Sequence, residues 1–121
     1  MTRHFTIILI SIIFIGCDIK SAKDYFAEAE KLEQQQKYKE AIQLLDKAIS
    51  KDKKFLGAYI NRGADKSVIG DYKGAIADYE NVISLDSKNT LAYFNIGNNL
   101  KRIGDNKSAV DFYNKAFNTK G

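Results

Sequence analysis

Apolar residues in the second half of the chain recur at helical spacing. Ala75, Ile76, Tyr79, Val82 and Ile83 fall at i, i+1, i+4, i+7 and i+8, and Ala109, Val110, Tyr113, Ala116 and Phe117 repeat the stripe 34 residues on. The same step joins Tyr25, Tyr59 and Tyr93; Ala41, Ala75 and Ala109; Ile42, Ile76 and Val110; and Ala48, Val82 and Ala116. Small residues (Ala29, Gly63, Gly97) and larger ones (Leu45, Tyr79, Tyr113) keep it too. The pattern predicts three copies of a two-helix unit, with helices over 22–35, 39–52, 56–69, 73–86, 90–103 and 107–119.

Turn chemistry supports this division. Gly70-Asp71 and Gly104-Asp105 stand ahead of the two stripes, where glycine can close one helix in the left-handed conformation and aspartate can cap the next. The first copy has Gln36-Lys37 there, so its turn is less well specified. Ala29, Gly63 and Gly97 are expected to let the helices of each pair approach closely, with Ala41, Ala75 and Ala109 opposite. Charge interrupts the apolar slots at Glu28, Arg62 and Lys66. The alkyl stems of Arg62 and Lys66 can pack while their charged ends reach Asp78 in the paired helix, a structural role rather than ligand binding.

The order of aromatic, small and alanine positions at a 34-residue period resembles the tetratricopeptide repeat. Tyr93, Ile96, Gly97, Leu100, Ala109 and Tyr113 follow its pattern most fully; Tyr59, Gly63, Ala75 and Tyr79 follow it in the second copy, and Tyr25, Ala29, Leu32, Ala41 and Leu45 in the first. The family's closing proline is replaced by Lys53, Ser87 and Gly121. The resemblance implies an all-α fold: three stacked helix-turn-helix repeats (22–55, 56–89, 90–121) forming a short right-handed α-solenoid over 22–121.

The N-terminus follows a different grammar. Met1 to Gly16 carry Arg3 and then twelve uncharged residues from Phe5 to Gly16, as a secretory signal does. A helix of that length covers roughly 18 Å, short of a hydrocarbon core of about 30 Å. Phe14-Ile15-Gly16-Cys17 resembles the lipobox of bacterial lipoproteins, with Phe14 in place of the more usual Leu. The resemblance implies a signal peptide over 1–16, cleavage before Cys17, lipidation (a diacylglyceryl group and usually a further acyl chain such as palmitate) at Cys17, and a linker over 17–21. Two or more chains anchor stably to a bilayer. A plain secretory signal with an incidental Cys17, or a buried cysteine, is the alternative. The expected location is a bacterial cell envelope, with inner and outer membrane both open.

Composition narrows the chemistry. The chain has 121 residues, 45% hydrophobic and 28% charged, without Pro or Trp, consistent with one small globular domain. Net charge is +4, but 19 basic and 15 acidic residues are interspersed, so no tract exists to follow a nucleic-acid backbone. His4 and Cys17 are the only histidine and thiol. Cleavage and lipidation would remove both, leaving no imidazole base, thiol nucleophile or ordinary zinc set. No glycine loop of a phosphate-binding kind occurs. The expectation is a non-enzyme with no cofactor and no metal.

The family's inner surface, lined by the first helix of each pair, implies a protein or peptide partner. Here it is expected to carry Phe26, Ile60 and Phe94 in one row, Asn61 and Asn95 in the next, and Asn98, Lys101 and Arg102 further along. Asn61 and Asn95 are similar to an asparagine ladder that holds peptide backbone; exposed amides without that role are the alternative. Chaperone-tail-binding relatives use a clamp of lysines, asparagines and arginine, whereas Phe26, Glu30, Asn61, Leu91 and Asn95 occupy those places here, which disfavours that ligand. At the C-terminal end Val110, Tyr113 and Phe117 would lack a following repeat, which suggests weak self-association. The reading is a membrane-tethered adaptor or scaffold holding an envelope partner in the groove. A structural subunit incorporated through its terminal helices is the alternative.

Overall fold

The computed structural model describes residues 17–120; the expected signal peptide over 1–16 lies outside the described residues. Among the described residues there are six helices and no strand: α1 (Ala22–Gln34), α2 (Tyr38–Lys51), α3 (Leu56–Val68), α4 (Tyr72–Leu85), α5 (Thr90–Arg102) and α6 (Asn106–Asn118). The helices pair as α1·α2, α3·α4 and α5·α6, and the pairs stack through α2·α3 and α4·α5. None is long and apolar enough to cross a membrane. Every helix begins and ends within one residue of the expected bounds, because a 34-residue period fixes all three hairpins at once.

The caps follow the sequence closely. Gly70 and Gly104 take φ of +87° and +89°, the left-handed region that glycine enters without penalty. Asp71 accepts from the Gly74 amide at 3.0 Å and Asp105 from the Ser108 amide at 3.1 Å. In the first repeat Gln36 adopts the same left-handed turn at φ +59°, and Lys37 offers no side-chain cap. The chain thus makes an identical turn from poorer materials. The capping box of Ser21 and Asp24 secures the start of α1 instead.

Two core clusters run through the stack. Tyr25, Ala29, Ala41, Leu45 and Ala48 of the first pair enclose Ala58 of α3; Tyr59, Ala75, Tyr79 and Val82 of the second enclose Ala92 and Ile96 of α5. Each cluster therefore crosses from one repeat into the next, so no hairpin completes its own core. The close approach expected at the small residues occurs against the tyrosine of the paired helix. A Cβ on Gly63 would stand 3.0 Å from the Tyr79 ring, and one on Gly97 only 2.6 Å from the Tyr113 ring.

The turns between repeats lack the family's proline but are pinned another way. The Tyr59 hydroxyl donates to the Lys53 carbonyl at 3.0 Å, and Tyr93 donates to the Ser87 carbonyl at 3.1 Å. These carbonyls belong to the residues that stand in the proline's place. A hydrogen bond from the next helix supplies the restraint that a pyrrolidine ring would supply through φ.

Candidate peptide-binding surface

Between α3 and α5 lies a polar cleft of about 740 Å³, lined by Ala64, Ser67, Tyr79, Asn95, Asn98, Asn99, Lys101 and Arg102. Four of the expected site residues, Asn95, Asn98, Lys101 and Arg102, therefore meet in one place. Lys101 and Arg102 are exposed in the last turn of α5, where cations favour the negative helix end. The Asn98 amide oxygen accepts from the Tyr113 hydroxyl at 2.8 Å, which fixes its orientation.

Sequence reasoning missed the floor of this surface. Asn99 is buried; its amide nitrogen donates to the Asn95 carbonyl at 2.8 Å, while its Oδ1 has no partner among the described residues. One repeat earlier Asp65 is also buried, with Oδ2 unpartnered. Burial, reinforced by the neighbouring Glu33 charge, pushes the Asp65 carboxyl up to about 7. The repeated polar step from 65 to 99 was legible in the sequence; its burial was not, because both positions look like ordinary helix surface.

Toward the first repeat the surface turns acidic. Asn61 donates to both carboxylate oxygens of Glu33, at 3.1 and 3.3 Å, linking α3 to α1. Asn61 is thus engaged within the protein, whereas the Asn95 amide makes no side-chain hydrogen bond among the described residues. Glu30 and Glu33 at one end and Lys101 and Arg102 at the other give the surface an uneven charge.

The aromatic row is placed differently from the asparagines. The Phe26 ring packs on Phe55 at 4.9 Å between centroids and lies against Gly57, so it mainly fills the junction between the first two repeats. Ile60 packs likewise against the second core cluster. Phe94 is 49% exposed, stacks on Tyr113 at 5.6 Å and lines the open C-terminal end rather than the polar cleft. One register row serves three environments because each of its residues faces the following repeat.

Arg62 and Lys66 do reach Asp78. Arg62 donates from Nε at 3.0 Å and from Nη2 at 2.6 Å, and Lys66 lies 3.1 Å from the same carboxylate. Arg62 also meets Asp46 of α2 at 2.8 Å. With its side chain 2% exposed, Asp78 depends on these two cations for its charge to be tolerated. The set belongs to the interior of the stack and not to the binding surface. Cys17 is exposed.

Two repeat models match the chain. One, described as TPR repeat, covers residues 69–104, and one, described as tetratricopeptide repeat, covers residues 91–120. No match was found among curated protein sequences. Among solved structures, one of the MamA protein is 27% identical with a TM-score of 0.82, covering 85% of this chain and 56% of that one. The second TPR of Spaghetti (RPAP3), bound to an HSP90 peptide, is 20% identical with a TM-score of 0.76 over 81% of this chain and 91% of that one. YrrB, described as a TPR protein with an unusual peptide-binding site, is 17% identical with a TM-score of 0.80, covering 84% of this chain and 53% of that one. The chain thus spans little more than half the length of the MamA structure. Residues 69–120 match tetratricopeptide repeat models, and the described residues take up the all-α tetratricopeptide fold.

Proposed function

We propose that this protein is a membrane-tethered interaction module that holds a peptide or helix of an envelope partner against the α3/α5 cleft. The observation that carries the reading is the amide-lined cleft: Asn95 and Asn98 at its walls, Asn99 with an unpartnered oxygen at its floor, and Lys101 and Arg102 at its rim. Amides offer donors and acceptors together, as an extended backbone requires, and an unpaired buried acceptor gains from any donor that reaches it. Peptide binding by two of the similar structures supports a protein partner. The ligand is not a chaperone tail in this reading, since Phe26, Glu30 and Leu91 replace the cationic clamp. The two rim cations favour a partner segment bearing a carboxylate at that end.

Lipid at Cys17 supplies the tether, and a fatty-acid analogue should label wild type but not Cys17→Ser. The partner is sought by crosslinking membranes and comparing captured proteins from wild type and an Asn95→Ala, Lys101→Ala double variant, both positions lining the cleft, with an unchanged helical circular dichroism spectrum. Loss of one envelope protein from the variant supports the cleft. Retention of every captured protein sinks it.

A further inference from the structure

The surface formed by α1, α3 and α5 keeps two buried acceptors that no described donor reaches. Asp65 of α3 is 4% exposed with Oδ2 unpartnered, and Asn99 of α5, one repeat on, is 2% exposed with Oδ1 unpartnered. A buried acceptor left without a donor is costly, and more so when it is charged. Of the two, Asp65 has the more demanding surroundings.

Those surroundings are acidic. Glu33 of α1 lies within hydrogen-bonding reach of the Asp65 carboxyl, and Asn61 holds Glu33 in place through both of its oxygens, at 3.1 and 3.3 Å. Tyr79 of α4 also faces Asp65 and brings no positive charge. The cations of α3 are committed elsewhere, Arg62 to Asp46 and Asp78 and Lys66 to Asp78. Neither Glu33 nor Asp65 forms an ion pair among the described residues.

Two neighbouring carboxyl groups resist being charged together. A proton held between them is one remedy, and a cation brought from outside is the other. The geometry points to a basic side chain of the partner segment, a lysine ammonium or an arginine guanidinium, seated on Glu33 beside Asp65. This rests on the reading of the surface as a peptide site and adds to it the chemistry of one residue.

Glu33 is half-buried and so can be reached from solvent. A carboxylate has about four acceptor sites, and Asn61 occupies one on each oxygen, which leaves room for a second donor. A metal ion fits less well, because the described residues contain no group of three or more acidic, histidine or cysteine side chains suited to hold one. Burial and the Glu33 charge hold the Asp65 proton up to about 7, so a cation that docks on the pair releases it. With Lys101 and Arg102 at the rim of the α3/α5 cleft, a segment carrying a basic residue here and a carboxylate there is held in one orientation.

The test follows the Asp65 carboxyl by NMR in the full-length chain, in detergent micelles and with isotope-labelled aspartate, the signal being identified by its loss in Asp65→Asn. The probe is acetyl-arginine methylamide, compared at equal ionic strength with its uncharged isostere acetyl-citrulline methylamide. The arginine probe should lower the Asp65 titration midpoint by about half a pH unit, a roughly threefold loss of proton affinity, and the citrulline probe should leave it in place. Glu33→Gln should abolish the response, whereas the Asn95→Ala, Lys101→Ala protein should keep it. Equal midpoints with the two probes, or a response that survives Glu33→Gln, overturn the proposal. So does a larger shift with calcium chloride than with the arginine probe, which would make a metal ion the occupant. If membrane capture depends on Asn95 and Lys101 while the arginine probe leaves Asp65 unmoved, the cleft stands and the basic residue falls.

Discussion

Arg62, Lys66 and Asp78 of the second repeat stand at the same three positions as Ile96, Leu100 and Phe112 of the third. One set is a buried ion network and the other belongs to an apolar cluster, yet the flanking helices pair in the same way. The repeat backbone accepts both solutions, and the first repeat holds a mixed one, Leu32 and Leu44 against the core with Glu28 paired to Lys20. A charge in such a place is tolerated through its partners and not through the fold.

The largest effect should come from breaking the ionic set at one point. Asp78→Ala leaves Lys66 without a counterion and Arg62 with only the exposed Asp46, and should cost about 3 kcal/mol in denaturant unfolding. Replacing the set as a whole is the sharper experiment. Arg62→Ile, Lys66→Leu and Asp78→Phe together copy the third repeat, and stability should then be unchanged or raised by about 1–4 kcal/mol. A triple variant as unstable as Asp78→Ala would show that the two repeats are not interchangeable there.

The two repeats also differ in how tightly they close. Gly97→Ala drives a Cβ to 2.6 Å from Tyr113, whereas Gly63→Ala meets Tyr79 at 3.0 Å. Gly97→Ala should cost about 1–3 kcal/mol and Gly63→Ala less, read as the shift between their urea midpoints. Equal costs would mean that Tyr113, nearer the open end, gives way freely.

Asp65 and Asn99 extend the comparison to pH. In the folded protein burial and Glu33 hold the proton on Asp65 up to about 7, against 3.8 for a free side chain. The folded state thus binds more protons across that window, and stability present below pH 4 is lost as pH rises through 7. Asp65→Asn gives the second repeat the amide of the third. It should flatten this decline and stabilise the protein at pH 8 by about 1–3 kcal/mol, measured by thermal melts across pH. An unchanged slope would place the titration elsewhere.

The smallest expected gain lies in the first turn. Gln36→Gly with Lys37→Asp installs the materials of the other two repeats. The pair should add about 1–2 kcal/mol, since glycine relieves the left-handed strain and aspartate caps α2.

Much of this architecture was legible because repetition turns one weak pattern into three concordant ones. The Gly-Asp turns, the six helices and the reach of Arg62 and Lys66 to Asp78 all follow from register and residue type. The surface chemistry was only half legible. Asn95, Asn98, Lys101 and Arg102 line one cleft, but Phe26 and Ile60 chiefly serve the junctions between repeats. Helical register says which way a residue points along its own helix; what meets it there depends on the neighbouring pair. Asp65 and Asn99 escaped notice for the same reason, since their burial arises from the stacking and not from their own helices.

The short N-terminal segment has a mechanical consequence. Lys51 donates to the Asp18 carbonyl at 2.9 Å, and Lys20 meets Glu28 at 2.7 Å, so the residues beside Cys17 are strapped onto the first repeat. Four residues separate Cys17 from Ala22, a reach of about 17 Å even when fully extended. A lipid at Cys17 would leave the array on a leash shorter than its own helices, and it could not search the space above the bilayer. Its partner would have to come to the membrane surface, and the order of encounter would be set by the height of the partner's docking segment above the lipid.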